Sequence, residues 1–310
     1  MFCSFVLPAY KSDYLGSAIS SILNQTEIDF ELIIINDASP FNLDAIVNTF
    51  SDSRIRYLKN EVNLGGKSLV SQWNKCLSYA SGDYVVLASD DDVYSPDYLS
   101  EMKRFVQLYP NIYIYSTRKL IIDENDKVVD IDGYLGEYLS CIDYMTQLFS
   151  HRVYSSISNF MFNRRMLIES GGFIDFPVAW YSDDAIVIKM SNNGIAVSPK
   201  CLFSFRFSGQ NLSTIKNLEV FNKKLDATSQ FYYWFEKERN NIQILNYIDE
   251  LLCCHLDRKL KEYLQYKTRL LISEGGWRLF FRVIKRRSSL PFITNTWLIK
   301  SFISLFRSNG

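Results

Sequence analysis

The sequence predicts an α/β fold in which a mainly parallel central sheet is flanked by helices. Apolar runs typical of strands alternate with helix-like segments through the first hundred residues. The strand-like runs are almost continuously apolar, which is characteristic of parallel strands covered on both faces. Polar residues follow each run at the point where it ends. Because ligands of such sheets bind beyond the carboxyl ends of the strands, these polar residues are the first candidates for a site.

The first elements are defined by short apolar runs. Residues 2–7 predict a buried strand that ends at Pro8. Apolar residues at helical spacing predict a helix over residues 15–23. Residues 30–36 then form a second strand that is rich in β-branched side chains.

The alternation continues to residue 89 and then weakens. A helix is predicted over residues 44–50, a third strand over 55–60, a third helix over 67–79 and a fourth strand over 83–89. Strand-like runs and turns follow, and a mostly helical pattern covers residues 218–271.

Composition excludes several classes of protein. The formal net charge is zero, which gives no electrostatic basis for nucleic-acid binding. Six cysteines without a C-x-x-C pair and only two histidines argue against a structural zinc site. The first residues lack a signal-peptide pattern, and no window holds the ~18 apolar residues of a membrane span. We therefore expect an intracellular chain without a transmembrane helix.

Three consecutive aspartates follow the fourth predicted strand, in the stretch Ser89-Asp90-Asp91-Asp92. Adjacent like charges repel, and the end of a buried strand disfavours them further. A cation would neutralise them, and carboxylate oxygens suit Mg²⁺ or Mn²⁺. Because such ions are held by one or two carboxylates together with substrate phosphates, the stretch predicts a metal-bound diphosphate. The alternative is a capped turn with solvated aspartates.

Short motifs accompany the predicted strands and helices of the first hundred residues. They are Pro8-Ala9-Tyr10, Ser21 with Gln25, Asn36-Asp37-Ala38-Ser39, Asn63-Leu64-Gly65, and Asn74 followed by Gly82-Asp83-Tyr84. Their order and spacing resemble those of family 2 glycosyltransferases with the GT-A fold, over about residues 2–205. The resemblance implies a GT-A catalytic domain over residues 1–215, divided at residue 99 into a nucleotide-sugar-binding half and an acceptor half, with a helical extension over residues 216–310.

The resemblance implies a nucleotide-activated sugar as donor, and we expect it to be UDP-linked. Asp37 would contact the uracil or the ribose, and Asp90 would reach the ribose or the donor sugar. Lys67 is the nearest cation where the family often has an arginine, and it is assigned to the diphosphate. The donor-binding residues implied in this way are Pro8, Ala9, Tyr10, Asp37, Asn63, Gly65, Lys67 and Asp90.

The same resemblance implies that Asp91 ligates the metal, either Mn²⁺ or Mg²⁺. The commonest pattern in the family is Asp-x-Asp-Asp, and alignment places Ser89 at its first position. This departure leaves Asp90 and Asp92 as alternatives for the secondary role, and Asp92 is the second candidate ligand.

Inverting sugar transfer needs one carboxylate that takes the proton of the acceptor hydroxyl. Residues 171–194 resemble the family segment that carries this base, which places Asp183 in the role and Asp184 as the alternative. Judged without the resemblance, both are N-terminal helix residues that interact favourably with the helix dipole. Trp180 and Tyr181 could stack on an acceptor sugar, although packing in the core explains them equally well.

The function implied is inverting transfer of a hexosyl or N-acetylhexosaminyl group from a UDP-sugar to a glycan or lipid-linked acceptor, in cell-surface polysaccharide biosynthesis. A nucleotidyltransferase is the alternative enzyme class, but the loop after the first strand has no glycine. A non-catalytic nucleotide-sugar-binding relic is a further alternative. A dehydrogenase is disfavoured because G-x-G-x-x-G is absent after that strand.

The C-terminal tail is basic and amphipathic. Residues 275–310 contain seven basic residues, including Arg307, and no acidic residue. Two short helices of this composition predict an in-plane anchor on an anionic membrane surface, at the inner face of the cell membrane. The alternative is that the stripes pack on the catalytic domain or across a homodimer. The apolar stripes are Trp277, Phe280, Phe281 and Ile284, and Ile299, Phe302, Ile303 and Phe306; the polar stripe of the second helix is Ser301, Ser304 and Ser308.

Overall fold

The structure is a computed structural model that describes residues 1–209 and 215–308. Contacts within the chain divide it into two units, and the predicted boundaries at residues 99 and 215 stay predictions. The first unit contains Met1–Cys141, Ser155–Asp175 and Ser182–Ser208, and the second contains Ile142–Tyr154, Phe176–Tyr181 and Gly209–Gly310.

Strands and helices alternate along the described residues of the first unit, and helices dominate the second. The strands are β1 (Cys3–Ala9), β2 (Phe30–Asn36), β3 (Ile55–Lys59), β4 (Tyr84–Leu87), β5 (Val93–Tyr94), β6 (Ile114–Ile122), β7 (Val128–Ile131), β8 (Tyr138–Leu139), β9 (Phe160–Asn163) and β10 (Ile195–Arg206). The helices are α1 (Leu15–Leu23), α2 (Leu43–Val47), α3 (Leu69–Tyr79), α4 (Tyr98–Leu108), α5 (Cys141–Phe149), α6 (Arg164–Glu169), α7 (Ser182–Met190), α8 (Leu218–Glu238), α9 (Tyr247–Lys285) and α10 (Asn295–Ser308).

One mixed sheet forms the centre of the first unit. Its strand order is β3-β2-β1-β4-β9-β6-β10-β5, with β7 paired to β6 and β8 paired to β10. The first four strands in this order are parallel, whereas β9 is antiparallel to β4. The predicted α/β fold with a central sheet flanked by helices is therefore confirmed.

The core of the first unit lies between the sheet and its helices. Phe5 of β1 and Leu32 of β2 are fully buried, which explains why these strands are apolar along nearly their whole length. Ile19 of α1 and Met102 of α4 pack into the same core. Packing against these helices therefore fixes β1 and the position of its carboxyl end.

The carboxyl ends of three parallel strands meet at one edge of the sheet. Ala9 pairs with Asn36, and Val6 pairs with Leu87. The strands β2 and β3 lie on one side of β1, and β4 lies on the other, so the strand order reverses at this point. Such a switch point opens a crevice for ligands.

The C-terminal helices differ from the predicted pattern. The helical stretch predicted over residues 218–271 is divided into α8 and α9, because the Asn246 side chain accepts the Asp249 N–H and starts a new helix. The helix α9 then continues to Lys285 through a kink at Gly276, whose φ of 63° is a left-handed conformation that glycine adopts without a steric penalty.

The second unit has an aromatic core. Phe235 of α8 and Tyr263 of α9 are buried, and the ring of Phe149 lies 5.5 Å and 5.4 Å from them. These T-shaped and tilted contacts add to the burial of apolar surface between the helices. Within residues 1–209 and 215–308, no helix is both long and apolar enough to cross a membrane.

Candidate active site

Asp90 connects the end of β4 to the end of β1. Its Oδ2 accepts the backbone N–H groups of Tyr10 at 2.9 Å and Lys11 at 2.7 Å. The Lys11 ammonium lies 3.3 Å from Oδ1 of the same carboxylate. Burial raises the pKa of Asp90, and the attraction of Lys11 and these hydrogen bonds oppose that rise. The carboxylate is thus held at the switch point of the sheet by the loop after β1.

Asp91 forms an ion pair with Lys11 and accepts a hydrogen bond from the Ser89 hydroxyl. The Asp91 side chain is 4% exposed and that of Lys11 is 27% exposed. Burial by itself lowers the pKa of Lys11, but attraction to Asp90 and Asp91 outweighs burial and raises it. Lys11 is therefore a charged ammonium at this edge. Sequence reasoning missed it, although a cation directly after the first strand motif was a signal.

Asp92 is buried beside the end of β10. Its Oδ1 accepts the backbone N–H of Arg206, at the end of β10, over 3.0 Å. Burial, followed by repulsion from Asp91, raises the pKa of Asp92 to about 8. Asp92 Oδ1 is thus taken by the Arg206 N–H, whereas Asp91 faces the partly exposed Lys11 ammonium. This geometry favours Asp91 over Asp92 as the candidate ligand.

The Arg206 guanidinium fixes the backbone around the aspartates. Its Nε donates to the carbonyl of Asp91 at 2.8 Å, and Nη1 donates to the carbonyl of Asp123 at 3.1 Å. Its Nη2 contacts Oδ1 of Asp126 at 2.6 Å, and its Cζ lies 4.2 Å from the centroid of the Tyr14 ring. The side chain has no exposed surface. Sequence reasoning missed Arg206, because its partners are distant in the chain.

Lys119 of β6 lies buried among carboxylates from several segments. Burial lowers its pKa, and attraction to Asp132, Asp183, Asp92 and Asp184 opposes that change. The Lys119 ammonium is thus attracted both by the candidate base and its alternative and by Asp92 after β4. This lysine was also missed, although two charged residues, Arg118 and Lys119, interrupt the strand-like run of residues 112–122, which is unusual for a buried strand.

Asp37 organises the loop after β3. Its Oδ1 accepts the Asn60 side chain at 2.6 Å and the Leu64 N–H at 2.9 Å, and its Oδ2 accepts the Gly65 N–H at 2.7 Å. A Cβ at Gly65 would lie 2.9 Å from that oxygen, so only glycine allows this approach. The Asn63 side chain closes the same loop by accepting the Gly66 N–H at 2.6 Å.

The remaining donor-site candidates lie at the same strand ends. Pro8 is half-buried, Ala9 is buried and Tyr10 is 40% exposed. The Ser39 hydroxyl donates to the Tyr10 carbonyl at 2.6 Å, which ties the ends of β1 and β2 together. Lys67 is exposed in the loop between β3 and α3, two residues before the helix begins. The roles assigned to these residues stay predictions.

Two motif side chains brace the segments that carry the carboxylates. Gln25 donates to the Ser95 carbonyl at 2.8 Å and accepts the Leu99 N–H at 2.8 Å, which fixes the chain beyond Asp92. Asn74 donates to the carbonyl of Phe173 at 3.0 Å and accepts its N–H at 2.8 Å. Gln25 and Asn74, both of which belong to the sequence motifs, thus stabilise the backbone of neighbouring segments by hydrogen bonds.

Asp183 and Asp184 occupy the first turn of α7. Asp183 is half-buried, and its Oδ1 accepts the Asp184 N–H at 2.9 Å, whereas Asp184 is 6% exposed. Negative charge at a helix N-terminus is stabilised by the dipole. The more exposed Asp183 is better placed to meet a substrate, and both assignments stay predictions.

Trp180 and Tyr181 lie in the second unit. Tyr181 is 3% exposed, and its ring stacks on Phe231 with centroids 4.7 Å apart and planes 16° apart. This geometry favours the core-packing explanation for Tyr181. Trp180 is half-buried and stays a candidate. Its segment is strained, because Val178, Ala179 and Tyr181 all have φ between 53° and 73°.

A divalent cation fits this site only with the help of substrate oxygens. Within the described ranges, no group of three or more His, Cys, Asp or Glu side chains is arranged to hold a metal ion. The Asp91 carboxylate already binds one cation, the Lys11 ammonium, at the strand edge. One carboxylate combined with phosphate oxygens is a common environment for magnesium-type ions. The residues therefore fit an ion that arrives with a diphosphate.

Comparison with known proteins adds a family match. Residues 4–171 match the family model described as Glycosyl transferase family 2. Protein CgeD of Bacillus subtilis is 27% identical over 202 residues, which are 61% of this chain and 46% of that protein. The UDP-Glc:alpha-D-GlcNAc-diphosphoundecaprenol beta-1,3-glucosyltransferase WfgD of Escherichia coli is 34% identical over 128 residues, which are 41% of this chain and 48% of that protein. Each match thus spans about half the length of that relative.

Two further similarities cover most of the chain. An uncharacterized glycosyltransferase of Haemophilus influenzae is 26% identical over 275 residues, which are 83% of this chain and 82% of that protein. The crystal structure of S. aureus TarS 1-349 in complex with UDP-GlcNAc has a TM-score of 0.67 at 15% identity, and the match covers 100% of this chain and 91% of that one. The likeness to TarS confirms the predicted GT-A fold.

Replacing Arg206 should destabilise the first unit far more than replacing a surface arginine. We expect Arg206→Met to lower the free energy of unfolding by about 3–5 kcal/mol, because the carbonyls of Asp91 and Asp123 both lose the donor that the buried guanidinium supplies. The control is Arg165→Met, whose exposed Nε lies 3.4 Å from Glu169, and it should change stability by less than about 1 kcal/mol. Urea unfolding followed by tryptophan fluorescence measures both, and equal losses would contradict the role given to Arg206.

Proposed function

The chain belongs to glycosyl transferase family 2, and from this premise we propose that it transfers a sugar from a UDP-sugar to a glycan or lipid-linked acceptor with inversion. The observation that carries the proposal is the Asp90–Asp91–Lys11 cluster at the switch point of the sheet. WfgD is named for transfer from UDP-Glc to a diphosphoundecaprenol-linked sugar, and TarS binds UDP-GlcNAc, which supports the choice of donor and acceptor classes. Cell-surface polysaccharide biosynthesis is the process that this chemistry would serve.

The donor would bind across the ends of β1, β2 and β4. Asp37 would contact the uracil or ribose, since it lies at the end of β2 beside the Gly65 backbone. Asp90 would reach the ribose or the donor sugar, since it lies against the loop after β1. Lys11 joins Lys67 as a candidate for the diphosphate, because it is a partly exposed cation beside Asp91.

Asp91 is the residue that would hold a divalent cation, either Mn²⁺ or Mg²⁺, and Asp92 is the alternative. When bound, the ion would neutralise the charge that develops on the leaving nucleotide diphosphate. The Lys11 ammonium contributes positive charge beside the same carboxylate. The alternative explanation, a capped turn with solvated aspartates, does not fit these residues, because all three are nearly inaccessible to water.

Transfer would be a single displacement at the anomeric carbon. The acceptor oxygen forms a bond to that carbon while the bond from the carbon to the diphosphate oxygen breaks, and the electron pair leaves with the nucleotide. Asp183 would take the proton of the acceptor hydroxyl, and Asp184 is the alternative. Asp183 is favoured because it is less buried, while Lys119 keeps compensating charge nearby.

We also propose that the C-terminal tail holds the protein on an anionic membrane surface at the inner face of the cell membrane. The α10 helix has Trp297 and Ser301 buried, whereas Ile299 and Phe306 are 60% and 70% exposed. The ring of Phe302 lies 5.2 Å from that of Trp277 in α9, so the exposed apolar surfaces of the two helices are continuous. The side chain of Arg307 lies outside the described residues.

Basic residues surround this apolar surface. Arg278, Arg282, Lys285 and Lys300 are exposed, whereas Arg286 is engaged by Asp226 at 2.6 Å. Each basic residue near anionic lipid contributes about 1 kcal/mol. An apolar face that is exposed and bordered by lysine and arginine is typical of interfacial helices. Pairing with a second copy of the chain is the alternative use of the same face.

Asp91→Asn should remove the metal dependence of donor binding, whereas Asp92→Asn should keep it. The amide is nearly isosteric but lacks the ligand charge, and Asp92 is already committed to the Arg206 N–H. Calorimetry with UDP, with and without Mn²⁺, should show the Mn²⁺ enhancement reduced by about tenfold or more in the first variant. An unchanged enhancement in Asp91→Asn would move the ligand elsewhere, and melting curves control for folding.

Asp183→Asn should keep UDP affinity and lose transfer by about 10²–10⁴-fold, because only the proton acceptor is removed. The comparison variant is Asp184→Asn, which should retain most of the turnover. Initial rates of UDP release in the presence of acceptor measure both variants. If Asp184→Asn loses the greater part of the activity, the base is Asp184.

Replacing exposed residues of α10 should weaken binding to anionic vesicles. We expect Ile299→Ser, Ile303→Ser and Phe306→Ser together to reduce co-sedimentation with phosphatidylglycerol vesicles by about tenfold or more, because three exposed apolar side chains leave the interface. The matched control replaces Ile244, Ile248 and Leu251, which are also exposed in the second unit. Equal loss in both triple variants, or binding that is insensitive to salt, would contradict the anchor. A change from dimer to monomer would support pairing instead.

A further inference from the structure

A network of side-chain hydrogen bonds connects α3 to Asp37, directly after β2. The Asn60 Nδ2 donates to Oδ1 of Asp37 at 2.6 Å and to Oε1 of Gln72, on α3, at 2.8 Å. The Asn60 backbone N–H donates to the Asn36 carbonyl at 2.8 Å, which fixes the position of Asn60 beside β2. Asp37, Asn60 and Gln72 are named the Asp37 network below. Neither Asn60 nor Gln72 has a role in the donor chemistry of the proposed function.

The chemistry of the three side chains fixes the direction of each hydrogen bond in the Asp37 network. A carboxylate only accepts hydrogen bonds, so Asn60 has to present its amide nitrogen to Asp37. That nitrogen carries two hydrogens, and the second one requires the oxygen end of the Gln72 amide. Both hydrogens of Asn60 are therefore engaged, and turning over either amide would break the network.

The nitrogen end of Gln72 supplies an independent observation. Gln72 is 1% exposed, and its Nε2 is buried with no hydrogen-bond partner among the residues that the structure describes. A buried donor without a partner destabilises the fold, and leucine or methionine of similar volume would avoid that cost. The stability of α3 therefore does not explain a glutamine at this position, whereas the oxygen that it presents to Asn60 does.

Asp37 keeps one acceptor position for a ligand. Within the described part of the chain, its Oδ1 accepts two hydrogen bonds, from Asn60 and the Leu64 N–H, whereas its Oδ2 accepts one, from the Gly65 N–H. Each oxygen of a carboxylate accepts about two hydrogen bonds, so the remaining position is on Oδ2. Asp37 is 3% exposed, and water is therefore a poor substitute for a donor that a ligand fails to supply.

We propose that Asn60 and Gln72 are positioning residues that hold Asp37 Oδ2 toward the ring N–H of uracil and thereby select UDP over CDP. The proposal rests on the proposed function, which assigns Asp37 to the donor nucleoside. Uracil carries a hydrogen on N3 that can be donated to a carboxylate, whereas N3 of cytosine has a lone pair that the same carboxylate repels. A site that is built to hydrogen-bond one ligand rejects an analogue without the donor, because its buried polar group is left unpaired.

Affinities for UDP and CDP test the proposal, because the two nucleotides share the ribose and the diphosphate and differ only in the base. Calorimetry with Mn²⁺ should show that the wild-type full chain binds UDP about tenfold or more tightly than CDP. Gln72→Leu should weaken UDP binding by about five- to tenfold and leave CDP binding nearly unchanged, because Asp37 loses its fixed orientation. The ratio of the two dissociation constants should therefore fall towards one.

Two further variants separate positioning from a structural role. The matched control is Leu77→Ala, which removes a buried side chain from the same helix outside the Asp37 network. It should lower the melting temperature and leave the ratio unchanged. Asn60→Ala should lower the ratio at least as much as Gln72→Leu does. Since Gln72 acts through Asn60, the double variant should lower the ratio no further than Asn60→Ala alone.

Several results would overturn the proposal. They are equal binding of UDP and CDP by the wild-type chain, an unchanged ratio in folded Gln72→Leu or Asn60→Ala, an equal fall of the ratio in Leu77→Ala, and losses that add in the double variant. Failure of the proposed function is distinguishable from these results. A wild-type chain that binds neither nucleotide would contradict the donor assignment itself, and the positioning role with it.

Discussion

Three adjacent carboxylates at the end of one buried strand are the constraint on which the first unit depends. Asp90, Asp91 and Asp92 are at most 5% exposed, so each needs a partner that the protein itself supplies. The loop after β1 serves Asp90, the Lys11 ammonium serves Asp91, and the Arg206 N–H serves Asp92. The cluster therefore requires that β1, on one side of β4, and β10, on the other side, end at the same edge of the sheet.

This division of partners separates structural from chemical roles. Asp92 is nearly inaccessible to water, and its Oδ1 accepts the backbone N–H of Arg206 at the end of β10. Asp91 is paired with Lys11, which is partly exposed to solvent. The Asp91 carboxylate can therefore also interact with charged groups of a bound substrate. Lys119 extends the same compensation to Asp183. In the proposed reaction, positive charge at this edge of the sheet would thus serve both donor binding, through Lys11, and proton transfer, through Lys119.

The fold was accessible from the sequence because it depends on local patterns. Continuous apolar runs predicted β1 and β2. Both strands are buried in the structure, which explains why the runs are apolar. The roles of Lys11, Lys119 and Arg206 could not be assigned from the sequence, because they come from partners about 80 to 115 residues away or from separate segments. For Lys11 and Lys119 the sequence showed only an unusual position for a charge. The predicted helical stretch over residues 218–271 was divided because one capping residue, Asn246, outweighed a weak periodicity.

In the proposed function, Asp91, a divalent cation and the donor diphosphate form one shared site. Melting temperatures of the wild-type chain with Mn²⁺ alone, UDP alone and both together test this most directly, since each ligand stabilises by its own mass action if the sites are independent. We predict that the rise with both ligands exceeds the sum of the separate rises, because each completes the site of the other. A strictly additive rise would contradict the claim.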